Sequence, residues 1–304
     1  MMKNSNIKVS DLESLAQELE GEFFYDEMIK TLYATDASVY RELPLAVGIP
    51  KNESDLEKLI RFSIKYSTAL IPRGAGTSLA GQVVGNAIVV DVSKHFNQIL
   101  EFNKEEKWVK VQPGVVRDEL NAFLAQHDLF FSPITSTANR ATIGGMVGNN
   151  SSGTTSIVYG STRDHVLEIT AYLSDCSYVT FGAVSSEEFI QKTKLSTLEG
   201  SIYKQIQSEL DQPAIQEEIR SQFPKASIHR RNTGYAVDYL LNSEIFSNNQ
   251  TAFNFCKLLC GSEGTLAFVT EIKLHLDTVQ APFDVIVAAH FADVLESLRA
   301  TQLA

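Results

Sequence analysis

Three glycines, two hydroxyls and one arginine follow an apolar run in the segment Ile71-Pro72-Arg73-Gly74-Ala75-Gly76-Thr77-Ser78-Leu79-Ala80-Gly81. Glycine lets the backbone take positive φ and brings its N–H groups close to a ligand. Successive N–H groups in such a turn form an anion-binding nest. The ligand that fits best is a phosphate or pyrophosphate, hence a nucleotide or dinucleotide. Two other phosphate loops are excluded. A Rossmann fingerprint would place its third glycine at Leu79. A P-loop read from Gly76 to Gly81 would continue with Lys and Ser or Thr, where the chain has Gln82 and Val83. Chemistry at a γ-phosphate is therefore not expected. Without a ligand, the same residues would form a Gly-rich turn between a strand and a loop.

A second segment, Pro133 to Gly153, is long, hydroxyl-rich and almost uncharged. It reads as a loop, and loops this long are usually functional or disordered. Ile143, Met146 and Val147 are too apolar for a disordered linker. Small polar residues broken by glycines suit the lining of a large flat ligand, with amides and hydroxyls supplying hydrogen bonds.

The pair PRGAGTSLAG (72–81) and TIGGMVGNNSSG (142–153) resembles the FAD-binding domain of the vanillyl-alcohol oxidase/PCMH flavoprotein family. Two later segments are similar to further motifs of that family: Tyr159-Gly160-Ser161-Thr162-Arg163-Asp164-His165-Val166-Leu167 and Gly261-Ser262-Glu263-Gly264-Thr265-Leu266-Ala267-Phe268-Val269-Thr270. The four motifs occur in the family's order. The chain most resembles the glycolate oxidase/D-lactate dehydrogenase branch, in particular its large members, in which the flavin part is fused to an iron–sulfur part.

The resemblance implies roles residue by residue. Backbone amides of Arg73, Gly74, Ala75, Gly76, Thr77 and Ser78 would hold the FAD pyrophosphate. Pro133, Thr135, Ser136, Gly144 and Gly145 would run along the other side of the dinucleotide. Asn149, Asn150, Ser152 and Gly153 would lie near the ribityl chain or the isoalloxazine edge. Glu263 and Gly264 would approach the adenine half; outside this family, Glu263 would read as a surface acid in a turn. Relatives with covalent flavin carry a histidine where this chain has Thr77. Neither Thr77 nor Ser78 can make a histidyl link, so the FAD is expected to be non-covalent.

The implied reaction is oxidation of a small 2-hydroxy acid, D-lactate or glycolate, by hydride transfer to flavin N5, with an iron–sulfur module as one candidate electron acceptor. Two other functions stay open. One is an FAD-binding electron-transfer subunit without its own substrate site. The other is a nucleotide-binding protein that uses the glycine loop as an anion nest. Ile228-His229-Arg230-Arg231-Asn232-Thr233-Gly234-Tyr235 is the densest positive spot in the chain. Such charge runs are usually solvated turns. The functional reading makes Arg230 and Arg231 an anchor for a substrate carboxylate, because arginine pairs with carboxylates bidentately.

Composition sets wider limits. A chain of 304 residues suits about two domains, and 44% hydrophobic against 21% charged residues gives an ample core. A net charge of −11 argues against a general nucleic-acid surface. No apolar run is long enough to span a bilayer, and the N-terminus lacks a signal-peptide core. The expected location is the cytoplasm, including the cytoplasmic face of the membrane. Cys256 and Cys260 stand four apart, on one helix face. A metal or cluster site would need further Cys or His ligands nearby, and only Cys176 remains. Buried thiols and no metal are expected.

The elements that must position these loops mix helices and strands without strict alternation, so the class is α+β. It is expected as a two-subdomain PCMH-type fold. Residues 1–40 read as a helical lead-in, with a capping box Ser10-Asp11-Leu12-Glu13. Residues 41–277 read as the FAD domain, with residues 183–250 as a helical insertion. A β-α-β unit opens it: strand 46–49, a helix capped at Ser54-Asp55-Leu56-Glu57, and strand 69–71 feeding the glycine loop. Strand 87–92 follows. Hairpins are expected over 99–112 and 166–181, with a helix over 116–126. Residues 278–304 read as the start of a cap domain, with a strand over 283–289 and a helix over 292–303. That part reads as a fragment, so the 304 residues alone are not expected to turn over a hydroxy acid. The apolar face of Val285, Ile286, Val287, Leu295 and Leu298 would then favour self-association.

Overall fold

The computed structural model describes residues 7–225, 227–228, 231, 234–279 and 286–303. Two sheets organise the chain. In the first, Ala46–Ile49, Ile88–Asp91 and Leu70–Arg73 run parallel in that spatial order. Ala46–Ile49 and Ile88–Asp91 are buried along their whole length, which is why they read as unbroken apolar runs. The helix Glu53–Tyr66 makes the crossover and buries Leu56, Leu59, Ile60 and Phe62. The lead-in does more than expected. Its helix Val9–Glu18 buries Leu12 and Leu15, and Glu22–Phe24 adds an antiparallel edge strand against Ala46–Ile49.

Both helix starts differ from the expected capping boxes. The first helix begins at Val9, with Asp11 Oδ2 accepting from the Lys8 amide at 2.9 Å. The second is capped by Asn52, whose side chain accepts from the Asp55 amide at 3.0 Å. The Asp55 carboxylate is thereby left to accept from the amides of Glu20, Gly21 and Lys51, each at 2.9 Å.

The second sheet is antiparallel: Ile99–Asn103, Trp108–Val111, Phe268–His275, Val166–Tyr172, Tyr178–Phe181. Both expected hairpins are present, and Phe268–His275 zips them together. Phe268, Thr270, Ile272 and Leu274 point inward on alternate positions. The insertion forms helices Ser186–Lys192, Leu198–Leu210, Pro213–Gln222 and Val237–Leu241. Their Phe189, Tyr203, Leu210, Ile219 and Leu240 share one core with Phe253, Phe255 and the sheet residues Ile169 and Ile272. The insertion is thus continuous with the sheet's core. Cys256 and Cys260 are buried there, and burial pushes the Cys260 thiol up to about 12.

The expected strand over 283–289 is only partly covered by the described residues. Residues 283–285 lie outside the described residues, and 286–289 are not in a strand. A helix, Val294–Thr301, does follow, with Leu295 and Leu298 exposed.

Candidate cofactor site

The glycine loop leaves the C-terminal end of Leu70–Arg73, where open parallel sheets bind ligands. Gly76 has φ +65°, the left-handed region. The Arg73 side chain turns back inside the loop. Nη2 donates to Thr35 O at 2.9 Å, and Nη1 reaches Tyr33 O at 3.3 Å and Val83 O at 3.5 Å. The guanidinium also sits over the Tyr33 ring, 5.1 Å from its centroid, while the Tyr33 hydroxyl donates to Asp91 Oδ2 at 2.7 Å. Arg73 is therefore an internal strut tying both ends of the loop to residues 33–35.

The second motif is partly helical. Thr142 caps the helix Ile143–Asn149, which buries Ile143, Met146 and Val147. The expectation of a structureless loop over 133–153 is corrected here. The apolar spacing i, i+3, i+4 behind a threonine cap is a helix signal that three glycines masked. Thr142 packs so closely on Gly74 that a Cβ there would collide with its side chain. Gly145 and Asn149 are exposed, and Gly144 is half-buried.

The fourth motif closes onto both. The Thr265 amide donates to Ser262 O at 3.1 Å, with φ +54° at Glu263 and +74° at Gly264. Two positive φ values in succession make a primed turn, a conformation uncommon for glutamate. The Glu263 amide donates to Gly148 O and the Gly261 amide to Val147 O, each at 2.9 Å. Glu263 Oε1 accepts from Gln82 Nε2 at 3.3 Å, and Gly264 packs on Pro72. Segments 72–82, 142–148 and 261–265, far apart in sequence, are mutual neighbours.

Arg163 joins the third motif to this cluster. It is buried, donates from its amide to Asn150 Oδ1 at 2.9 Å, from Nε to Lys257 O at 2.9 Å and from Nη2 to Cys260 O at 2.5 Å. Burial pulls its pKa below the ordinary arginine value. Asn150 is buried as well, ends the Ile143–Asn149 helix at φ +47°, and directs Oδ1 at the Arg163 amide. Its placement supports the backbone. On the other flank, Arg117 Nε donates to Pro133 O at 3.1 Å and Nη2 to Phe131 O at 3.2 Å. Thr155 Oγ1 donates to Ser132 O at 2.8 Å, and Gly153 packs against the Ile134 carbonyl. Ser136 is exposed.

Two hydroxyls in these segments test the fit of a ligand. Ser78 Oγ and Thr135 Oγ1 are buried and have no hydrogen-bond partner among the described residues. A buried polar group left unpaired costs about 1–3 kcal/mol. Two such groups, one in the glycine loop and one in the segment 133–153, leave room for a polar ligand to pair with each. Residues 44–182 match the family described as FAD binding domain. This part of the chain is an FAD-binding domain of the PCMH type.

Two relatives are similar over most of this chain. The D-2-hydroxyglutarate dehydrogenase of Pantoea ananatis is 40% identical over 246 residues, covering 80% of this chain and 23% of that protein. That of Escherichia coli is 39% identical over 269 residues, covering 86% and 25%. The chain thus spans about a quarter of the length of the curated relatives it matches. A solved alkyldihydroxyacetonephosphate synthase superposes with a TM-score of 0.59 at 16% identity, over 91% of this chain and 43% of that one. That likeness is one of fold: the α+β FAD-binding arrangement expected from sequence. FAD is the cofactor. Among the described residues, no helix is long and apolar enough to cross a membrane.

Beside the third motif lies a cavity of about 600 Å³, with Tyr159, Asp164, Phe223, Arg231 and Tyr239 in its wall. Arg231 is not a solvated turn residue. Nη2 donates to Asp238, and the guanidinium lies 4.9 Å from the Tyr239 ring centroid and 5.8 Å from that of Phe223. Its Nη1 has no partner among the described residues. Arg230 lies outside the described residues.

Proposed function

We propose that this chain holds FAD non-covalently for the oxidation of a small 2-hydroxy acid. The unpartnered hydroxyls of Ser78 and Thr135, one in each of the two segments assigned to the cofactor, carry the reading. Backbone amides of Arg73 through Ser78 bind the pyrophosphate, and Ser78 Oγ adds a hydroxyl contact. Pro133, Thr135, Ser136, Gly144 and Gly145 line the opposite side. Asn149, Ser152 and Gly153 border the ribityl and isoalloxazine portion, with Asn150 behind them shaping the backbone. Glu263 and Gly264 flank the adenine half. Bound FAD supplies the hydride acceptor; the protein orients it and excludes water. The similarity to D-2-hydroxyglutarate dehydrogenases favours D-2-hydroxyglutarate over the smaller D-lactate or glycolate. A dicarboxylate also suits Arg231 as a carboxylate partner.

The test is a pair of single-atom-scale changes. Ser78→Ala and Thr135→Val should each weaken FAD binding by about five- to tenfold, the equivalent of one hydrogen bond. The melting temperature of the folded apo-protein should stay level or rise, because an unsatisfied buried hydroxyl is removed. FAD titrations with unchanged Kd in both variants would place the cofactor elsewhere.

A further inference from the structure

His165 is almost fully buried, yet no step of FAD binding uses it directly. It ends the short helix Thr162–His165, immediately before the sheet strand Val166–Tyr172. Its Nδ1 lies 3.0 Å from Ser161 O. A carbonyl only accepts, so Nδ1 carries a proton and donates. Its Nε2 meets two partners at once, Ser132 Oγ at 2.9 Å and Asp277 Oδ2 at 2.8 Å. Asp277 follows the strand Phe268–His275 and pairs with Phe130 in a two-residue ladder. The ring is further held by the edge of Phe131 at 5.7 Å and by His275, stacked at 6.3 Å. Three chain segments from different parts of the sequence therefore meet on one imidazole.

The segment that gains most is 131–135. It has no regular secondary structure, so side-chain bonds rather than a ladder fix its path. Residues 131 and 133 are held from one side by Arg117. Ser132 is fully buried and held from the other side, its carbonyl by Thr155 and its hydroxyl by His165. Three residues on stands Thr135, whose buried hydroxyl awaits a partner. An error of an ångström in this path would move that hydroxyl out of hydrogen-bond range.

We propose that His165 is a positioning residue for the flavin. Through Ser132 it sets the Pro133–Ser136 segment at a fixed distance from the central sheet, with Asp277 orienting the ring. The proposal rests on the assignment of that segment to the cofactor site. Oriented imidazoles commonly depend on such a carboxylate partner. The charged and titratable groups around it are Asp164, whose carboxylate takes the Ser161 amide and hydroxyl, His275, and Lys107, which donates to Thr278 Oγ1. None of them bonds the imidazole, so the Ser132 link depends on His165 and Asp277 alone among the described residues.

FAD titration of apo-protein, with the visible spectrum of the bound flavin, separates positioning from mere folding support. Ser132→Ala removes the link but leaves His165 and Asp277 paired. It is expected to raise the FAD Kd about five- to tenfold and to shift the bound-flavin band, with circular dichroism unchanged. His165→Leu should do the same or more. Asp277→Asn keeps the shape, and its amide can donate to Nε2, so it should retain near wild-type Kd and spectrum. Unchanged Kd and spectrum in Ser132→Ala would overturn the proposal. Thr135→Val serves as the reference. If it weakens binding while Ser132→Ala does not, positioning fails and the cofactor assignment stands. If neither has an effect, the assignment of the segment fails and the positioning role falls with it.

Discussion

Gly76→Val is expected to lower FAD affinity about a hundredfold or more, while circular dichroism and the apo melting curve stay close to wild type. Two costs combine. Gly76 holds φ +65°, and a residue forced into such a region is strained by about 1–3 kcal/mol, with β-branched side chains worst placed. A Cβ there would also stand 2.6 Å from Arg73 Nη2. That guanidinium cannot swing aside cheaply, because carbonyls of Tyr33, Thr35 and Val83 hold it. The turn must open, and its amides lose their common focus. Both core clusters lie away from the loop, so folding should survive. Equilibrium dialysis with FAD measures the effect; near-normal occupancy would show that the phosphates sit elsewhere.

Asp55→Ala is expected to destabilise the fold by about 3 kcal/mol or more, by the loss of charge-assisted bonds in a buried site. The carboxylate has no exposed surface. It anchors the strand Glu22–Phe24 to the Glu53–Tyr66 helix through the amides of Glu20, Gly21 and Lys51. Burial works against its charge, but these amides and Lys58 outweigh burial and hold the carboxyl below its ordinary value of 3.8. The sign follows. With a folded pKa below the unfolded one, the stabilisation is complete above the unfolded value and is lost as pH falls through the folded value. Wild-type urea midpoints should therefore drop below about pH 4, and Asp55→Ala should flatten that part of the acid limb. An acid limb of equal depth in both proteins would assign the loss to other carboxylates.

Much of the glycine loop's geometry was legible because it is local. Glycines after an apolar strand specify a turn, and the chain leaves the strand Leu70–Arg73 with positive φ at Gly76 and Gly81. The helix Ile143–Asn149 was missed although Thr142, Ile143, Met146 and Val147 stand at helix spacing. Three glycines argued for a loop, and burial of the stripe overrode their propensity. The start at Asn52 instead of Ser54 reflects two equally good caps, decided by where the Asp55 carboxylate is needed. What the sequence could not show is long-range. Nothing near Arg163 points to Cys260, nor near His165 to Asp277, and Arg231 finds Asp238 only once the helix Val237–Leu241 forms. The three-residue strand Glu22–Phe24 is too short to carry a period and exists because Ala46–Ile49 offers it an edge.

The central claim is that this chain binds FAD non-covalently in the groove between residues 72–82, 133–153 and 261–265. The most direct measurement adds excess FAD to folded apo-protein, removes what is unbound, and precipitates the complex with acid. The expected result is one FAD per chain, all of it released into the supernatant, with Gly76→Val releasing little or none. Folded protein that takes up no FAD, or flavin that stays with the pellet, would contradict the account.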